Sequence, residues 1–274
     1  MVALSLFRIT ESRCSVKRVS RNFQRRRLTL TASLFAVLLV ASSLPANAHQ
    51  PVNLSATDSK VSTSPILVDG TISFAIYASM TTTSPSRTFR LFLAESENLD
   101  IQYLILNQKP ENSLTTSQLP VISYLSPSGK SAALKINERT PFYEPFSKKK
   151  YLYLSRISTP GEAGIYTITI RAKRSSSVVI AVGSRETFGD ILKTGKLQGQ
   201  CPSSNLPGAE ISKVSADQLI SMSERAAQAC AASLKWGFRV IARDGEEFLM
   251  TRDYRIDRVN VTIVSDKVTE VSVG

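Results

Sequence analysis

The stretch TRDYRIDRVNV, Thr251 to Val261, puts three arginines and two aspartates into eleven residues. Tyr254, Ile256, Val259 and Val261 are interleaved with them at strand-like spacing. Two roles suit that pattern. The charges can form a solvated strand face, or they can pair as guanidinium and carboxylate. Such pairs are strong and geometrically directed, and can hold a segment that has little core of its own. Catalysis is less well served. The chain has one histidine, His49, so neither a Ser-His-Asp nor a Cys-His arrangement can be placed elsewhere. Zinc-type Cys/His spacing, a phosphate-binding glycine loop and H-E-x-x-H are missing from the sequence. A histidine at a mature N-terminus can hold copper with its amino group, but such sites normally use a second histidine. Composition leaves a Ser-Lys dyad or an acid pair open without any positive sign of either. The expectation is a protein that is not an enzyme and carries no cofactor and no metal.

The elements that position these residues begin with an export signal. Eight Lys and Arg between Arg8 and Arg27 precede the apolar run LTASLFAVLLVA, Leu30 to Ala41, and then SSLPANA. Ala46-Asn47-Ala48 offers small residues to a signal peptidase, with His49 next. The apolar run is shorter than the roughly 20 residues of a membrane span, so 1–48 is expected to be a signal peptide and the exported chain to have no membrane segment. Without it, 26 basic residues face 21 acidic ones, a net +5 in place of the formal +12. The apparent nucleic-acid signature therefore belongs largely to the signal, and no nucleic-acid partner is expected. Cys201 and Cys230 remain, an even number in an oxidising compartment. One disulfide is the default, closing a loop worth roughly 3 kcal/mol on the chain-entropy model. Two free thiols are the alternative.

Residues 49–188 read as an antiparallel β-sandwich. GTISFAIYASM (Gly70 to Met80) alternates with period two, and RTFRLFLAE, LDIQYLIL, LPVISYL, KYLYLSRIS, IYTITIRA and SSVVIAV add strands separated by turn residues. The aromatic group FYEPF with KKKYLYL, Phe142 to Leu154, suits a carbohydrate-facing platform or a lysine-blunted edge. Residues 189–207 read as a Gly, Ser and Pro-rich linker. SADQ, Ser215 to Gln218, has capping-box form, and Leu219, Met222, Ala226, Ala227 and Cys230 then share one helical face. WGFRVIA reads as a strand, RDGEEFLMTRDY as a loop, and RVNVTIVS and TEVSVG as strands. The fold class is thus β-rich: a sandwich followed by a small α+β domain at 208–274, or from 201 if Cys201 is included. That domain holds one helix, a mixed sheet and an exposed loop.

TRDYRIDRVN followed by a short strand and EVSVG resembles the potato inhibitor I superfamily of serine-peptidase inhibitors. It is closest to the bacterial secreted branch, peptidase inhibitor family seventy-eight, whose pattern reads T-M-D-Y-R-x-D-R-L-N. Thr251, Asp253, Tyr254, Arg255, Asp257, Arg258 and Asn260 match that pattern. FRVIA resembles the family's strand before the loop, and Cys201 the cysteine that opens its domain. The resemblance covers about a quarter of the chain. It implies a reactive-site bond between Arg252 and Asp253, in an inhibitory loop with Leu249, Met250, Thr251, Tyr254 and Arg255. It also implies that Arg258 and Asn260 support the loop by holding Thr251 and Asp253. Arg252 departs from the family's commoner apolar residue, and its planar fork suits a peptidase pocket with a buried carboxylate. The implied partner is a trypsin-like or basic-specific subtilisin-like serine peptidase, met outside the cell or in the cell envelope. Two further departures carry expectations. Val273 stands where the family has its closing cysteine. ARDGEEFLM, Ala242 to Met250, is about three residues longer than the family's usual approach to the bond, which predicts a softer loop. The alternative function is a non-inhibitory envelope or adhesion protein whose sandwich binds glycan or protein. The end of the sandwich, GEAGIYTITIRA to VVIAVGSRE, loosely resembles domains appended to secreted bacterial peptidases.

Overall fold

The computed structural model describes residues 49–145, 147–192, 201–202, 210–251 and 253–274. The expected signal peptide, most of the expected linker and Arg252 lie outside the described residues. From Asn47 to Gly274 the chain forms one compact unit. It is β-rich, with two six-stranded sheets, one four-stranded sheet and little helix.

The first sheet has the order β1-β3-β11-β5-β9-β8 and the second β12-β2-β4-β10-β6-β7. The strands are β1 Gln50–Leu54, β2 Ile66–Leu67, β3 Phe74–Met80, β4 Ser86–Leu93, β5 Asn98–Leu106, β6 Val121–Leu125, β7 Ser131–Ala133, β8 Thr140–Glu144, β9 Lys149–Pro160, β10 Gly164–Arg171, β11 Ser176–Val182 and β12 Ile191–Leu192. Alternation decides which side chains face inward. Phe74, Ile76, Ala78 and Met80 of β3 meet Phe89, Leu91 and Leu93 of β4 in one buried cluster that also takes Ile101, Tyr103 and Ile105 of β5. The expectation of a purely antiparallel sandwich needs correction, because β1 pairs with β3 and β2 with β4 in parallel. Successive strands β1 to β5 switch from one sheet to the other. A strand that returns to its own sheet after such an excursion can lie parallel to the one it left, because the excursion supplies the long crossover that parallel pairing needs.

Residues 189–192, at the start of the expected linker, are part of the sandwich. Ile191 and Leu192 pair with Leu67 and Ile66. Gly189 accepts from Gln50 Nε2 at 3.0 Å and donates to Gln50 Oε1 at 2.8 Å. A side chain at 189 would collide with Phe74 and Ile72. Composition marks 189–207 as a linker because Gly, Ser and Pro recur through it, whereas the backbone of Ile191 and Leu192 fills a place beside β2.

The single helix expected after Ser215 is replaced by two, α1 Lys213–Asp217 and α2 Glu224–Leu234. Their N-caps are Ser212 and Ser223, whose hydroxyls accept from Ser215 N and Ala226 N. The break has a backbone cause. Ser221, at φ 73°, and Met222 leave the helix to bond the last strand through Ser221 N to Val268 O (2.8 Å) and Val268 N to Met222 O (2.9 Å). Leu219, Ala226, Ala227 and Cys230 are buried and Met222 is half-buried, but Leu219 and Met222 lie in the turn between the helices, so the expected single helical face is not formed.

The small sheet runs β14-β13-β15-β16, with β13 Gly237–Arg243, β14 Glu246–Glu247, β15 Arg258–Val264 and β16 Lys267–Val273. β13 and β15 are parallel, β15 and β16 antiparallel. Cys201 and Cys230 are joined as a disulfide across 29 positions, tying the start of this region to α2.

Candidate functional site: the braced loop between β14 and β15

Residues 248–251 and 253–257 lie between the edge strand β14 and the inner strand β15 and stand largely in solvent. Leu249 is fully free of the protein at 107 % relative exposure, and Phe248, Met250, Tyr254 and Ile256 are exposed as well. Exposed apolar residues grouped in this way are a common feature of interaction surfaces.

The scaffold beneath the loop follows from alternation along β15. Val259, Val261 and Ile263 point into the core beside α2, which leaves Arg258 and Asn260 on the opposite, loop-facing side. Arg258 is buried at 6 % exposure and uses its whole guanidinium. Nη1 donates to Asp253 Oδ2 at 2.9 Å, Nη2 to Asp253 O at 2.6 Å and Nε to the Gly274 main-chain oxygen at 2.7 Å. Gly237 lies opposite Arg258 in the parallel register, and a Cβ there would sit 3.0 Å from Arg258 Cβ and Cγ. Glycine at 237 is what lets the arginine stem pass.

Asn260 does not touch the loop. Its Nδ2 donates to the Gly274 oxygen at 2.8 Å, the same acceptor that Arg258 Nε uses, while its Oδ1 is buried without a hydrogen bond. Support of Thr251 by Arg258 or Asn260 is therefore replaced by another residue. Arg239 of β13 donates from Nη1 to Thr251 O and from Nη2 to Thr251 Oγ1, both at 3.4 Å, and from Nη2 to Asp253 Oδ1 at 3.1 Å. Thr251 Oγ1 also donates to Asp253 Oδ1. Arg239 is legible in the sequence only as one charged residue inside the apolar run FRVI. Its role depends on the β13–β15 register, which puts it opposite Asn260.

Outside this centre the loop is stitched down twice more. Tyr254 Oη donates to Glu210 Oε1 at 2.8 Å, and Ile211 N donates to Ile256 O at 3.0 Å. Arg255 and Asp257 form a two-bond pair at 3.1 and 2.9 Å, which raises the arginine's pKa and lowers the aspartate's. Donation from Thr251, then from Arg258 and Arg239, holds the Asp253 carboxyl well below the usual carboxylate range. Asp253 is thus the point where charge is concentrated, an anion between two guanidinium groups.

The longer approach, Ala242 to Met250, begins as a hairpin. Arg243 pairs with Glu246 and Ala242 with Glu247 across a two-residue turn in which Asp244 and Gly245 both have positive φ, 49° and 89°. That is the Asp-Gly hairpin signal, present in the sequence as RDGE. Asp244 Oδ1 accepts from Ser265 N at 2.8 Å, and Phe248 N donates to Ile241 O at 2.9 Å. The extra residues close on themselves and leave the loop anchored at its start.

The other candidates gather no comparable site. His49 contacts the Ser73 hydroxyl, and among the described residues no three metal-ligating side chains come together. No described helix is long and apolar enough to cross a membrane. The aromatic group lies on the outer face of the first sheet. Tyr77, Phe142 and Tyr153 cover Leu104, Tyr151 and Val179 there, and the Arg156 guanidinium sits 4.7 Å from the Tyr153 ring centre.

No protein-family model matches the sequence. No curated protein matches it either. Among solved structures, the chain is similar to the pre-peptidase C-terminal domain of a collagenase from Bacillus anthracis. That match has 8 % identity and a TM-score of 0.25, over 50 % of this chain and 94 % of that one. It is also similar to the Drosophila NLP core, with 14 % identity and a TM-score of 0.20 over 43 % of this chain and 98 % of the other. At such TM-scores neither likeness carries an argument about function. The inhibitor resemblance rests on its motif residues alone.

Proposed function

We propose that this protein is a secreted inhibitor of a serine peptidase and offers Arg252–Asp253 as a substrate-like bond. The observation that carries the reading is the bracing of Thr251 and Asp253, the residues on either side of position 252. Both are tied to each other and to Arg239, and Asp253 also to Arg258, in a loop otherwise open to solvent. A loop held before docking loses little conformational entropy on docking, so contact energy appears as affinity.

Bracing also acts after the chemistry has started. Attack by the peptidase serine forms an ester with the Arg252 carbonyl and releases the Asp253 amine. With that amine held by Asp253's own contacts, it can attack the ester again. The C–N bond re-forms, the C–O bond to serine breaks, and the amine's proton returns through the peptidase's base to the serine oxygen. Positioning makes this return competitive with water. Arginine at 252 points to a primary pocket with a buried carboxylate, hence a trypsin-like or basic-specific subtilisin-like target.

The second reading, a non-inhibitory envelope protein binding glycan or protein through the sandwich, draws on the aromatic group of the outer face. Phe142 and Tyr153 pack on one another and Tyr151 is buried, which leaves Tyr143 as the exposed ring among the described residues of that group. It is the weaker of the two.

The test is titration of residues 49–274, and of an Arg252→Ala variant, against trypsin and a subtilisin. Stoichiometric inhibition of trypsin, lost by at least about a hundredfold in the variant, is expected, since a desolvated charge pair at an interface centre is worth about 3 kcal/mol or more. Rapid cleavage after Arg252 with no inhibition of either enzyme would remove the inhibitor reading and leave the binding protein.

A further inference from the structure

We infer that Arg239, on the strand before the loop, is the residue that keeps this loop an inhibitor instead of a substrate. It does so by holding the acyl side of the bond, a task that Asn260 is too short to perform. The inference rests on the inhibitor reading and assigns a positioning residue to it.

The two described arginines under the loop do different work. Every bond from Arg258 to the loop goes to Asp253, the leaving side of the bond. Among the described side chains outside the loop, Arg239 is the one that reaches Thr251, through both its carbonyl and its hydroxyl, and it spans to Asp253 as well. Without it the leaving amine stays in place while the acyl half is joined to it only through the Thr251–Asp253 contact. Re-forming the bond needs both halves in register, so loss of the acyl-side tether should speed net hydrolysis.

Geometry explains why the tether comes from β13. Arg239 and Asn260 are Cα partners across the parallel pair, on the face that also presents Arg258. Position 260 is occupied by a side chain that ends at the Gly274 oxygen and leaves Oδ1 buried and unpaired. A cation two residues after Arg258 on the same face could reach the loop only with a longer stem. Here the cation stands one strand over. Arg239 is well placed for the part: its side chain is only 24 % exposed, so its bonds to the loop are partly shielded from water.

The arrangement predicts a rescue. Arginine introduced at 260 enters the same face beside position 239 and can replace the missing tether. The experiment compares wild type, Arg239→Ala and the double variant Arg239→Ala/Asn260→Arg. It follows the rate of cleavage at Arg252 by mass spectrometry under stoichiometric trypsin and subtilisin, with thermal unfolding as the control for folding. Arg239→Ala should be cleaved roughly tenfold faster or more, in keeping with the loss of charge-assisted bonds, and the double variant should recover a substantial part. Cleavage of Arg239→Ala within twofold of wild type overturns the inference, as does faster cleavage that Asn260→Arg leaves unchanged. Failure of wild type to inhibit either enzyme removes the inhibitor reading itself. The cleavage rates still report separately whether Arg239 orders the loop.

Discussion

The Asp253 carboxylate accepts from Thr251, Arg239 and Arg258, and its chemistry sets a pH rule. Its folded-state pKa is depressed by Thr251, Arg258 and Arg239. A carboxyl depressed in the folded state adds stability at pH above its unfolded value, about 3.9, and loses that contribution as pH falls through the lower folded value. The loop should therefore stay braced through the pH range in which ordinary aspartates titrate. A carboxyl-carbon NMR titration should give Asp253 a midpoint below that ordinary range. Asp253→Asn should make loop cleavage both faster and insensitive to acid. A normal midpoint for Asp253 would mean that the two guanidinium groups do not hold it in solution. The motif residues Thr251, Asp253 and Arg258 are all legible in the sequence, because their spacing is local. Arg239 and Glu210 are not, because each meets the loop from an element distant in sequence.

At the level of elements, the hairpin that precedes the loop decides whether added length softens it. Gly245 sits at φ 89°, where a side chain meets no neighbour but the backbone disfavours one. Gly245→Ala should cost roughly 1–2 kcal/mol locally. It should open the Arg243–Glu247 hairpin, seen as faster amide exchange at Phe248, with little change in the sandwich. Exchange unchanged at Phe248 would separate the hairpin from the loop. Helix α2 shows how far local pattern reaches. Ala226, Ala227, Ala229, Cys230 and Ala231 are all buried, which covers about 200° of the helix circumference at 100° per residue. An amphipathic surface helix buries a narrower stripe. The excess is explained by β10, which α2 contacts in addition to β13 and β16.

On the scale of the molecule, the sandwich and the loop-bearing sheet share a core. Ile66, Val68, Phe92 and Leu192 belong to one buried cluster with α2 and the inward residues of β15 and β16. Arg225 fastens the junction. It pairs with Asp69 at 3.1 Å and Glu97 at 2.7 Å, reaches Val68 O, and lies 5.2 Å from the Phe92 ring centre. The protein should melt in one transition. Arg225→Ala should lower stability by roughly 1–3 kcal/mol, since it removes charge-assisted bonds to two partly buried carboxylates. Calorimetry that finds two separate transitions in wild type would contradict a shared core. The sandwich on this view stiffens the base from which the loop is held.

The sequence by itself determined the longer strands, their inward faces and the charged motif, because each is written in a periodicity of two residues or in contiguous letters. The pairing of Cys201 with Cys230 followed from their being the two cysteines left after the expected signal. What only the tertiary structure decided were the relations between distant segments. These are the parallel pairs β1–β3 and β2–β4, the strand inside the expected linker, the break between α1 and α2, and the opposition of Arg239 to Asn260. Each depends on which backbone groups find partners across the fold, and hydrogen-bond satisfaction between remote segments leaves no mark in local order.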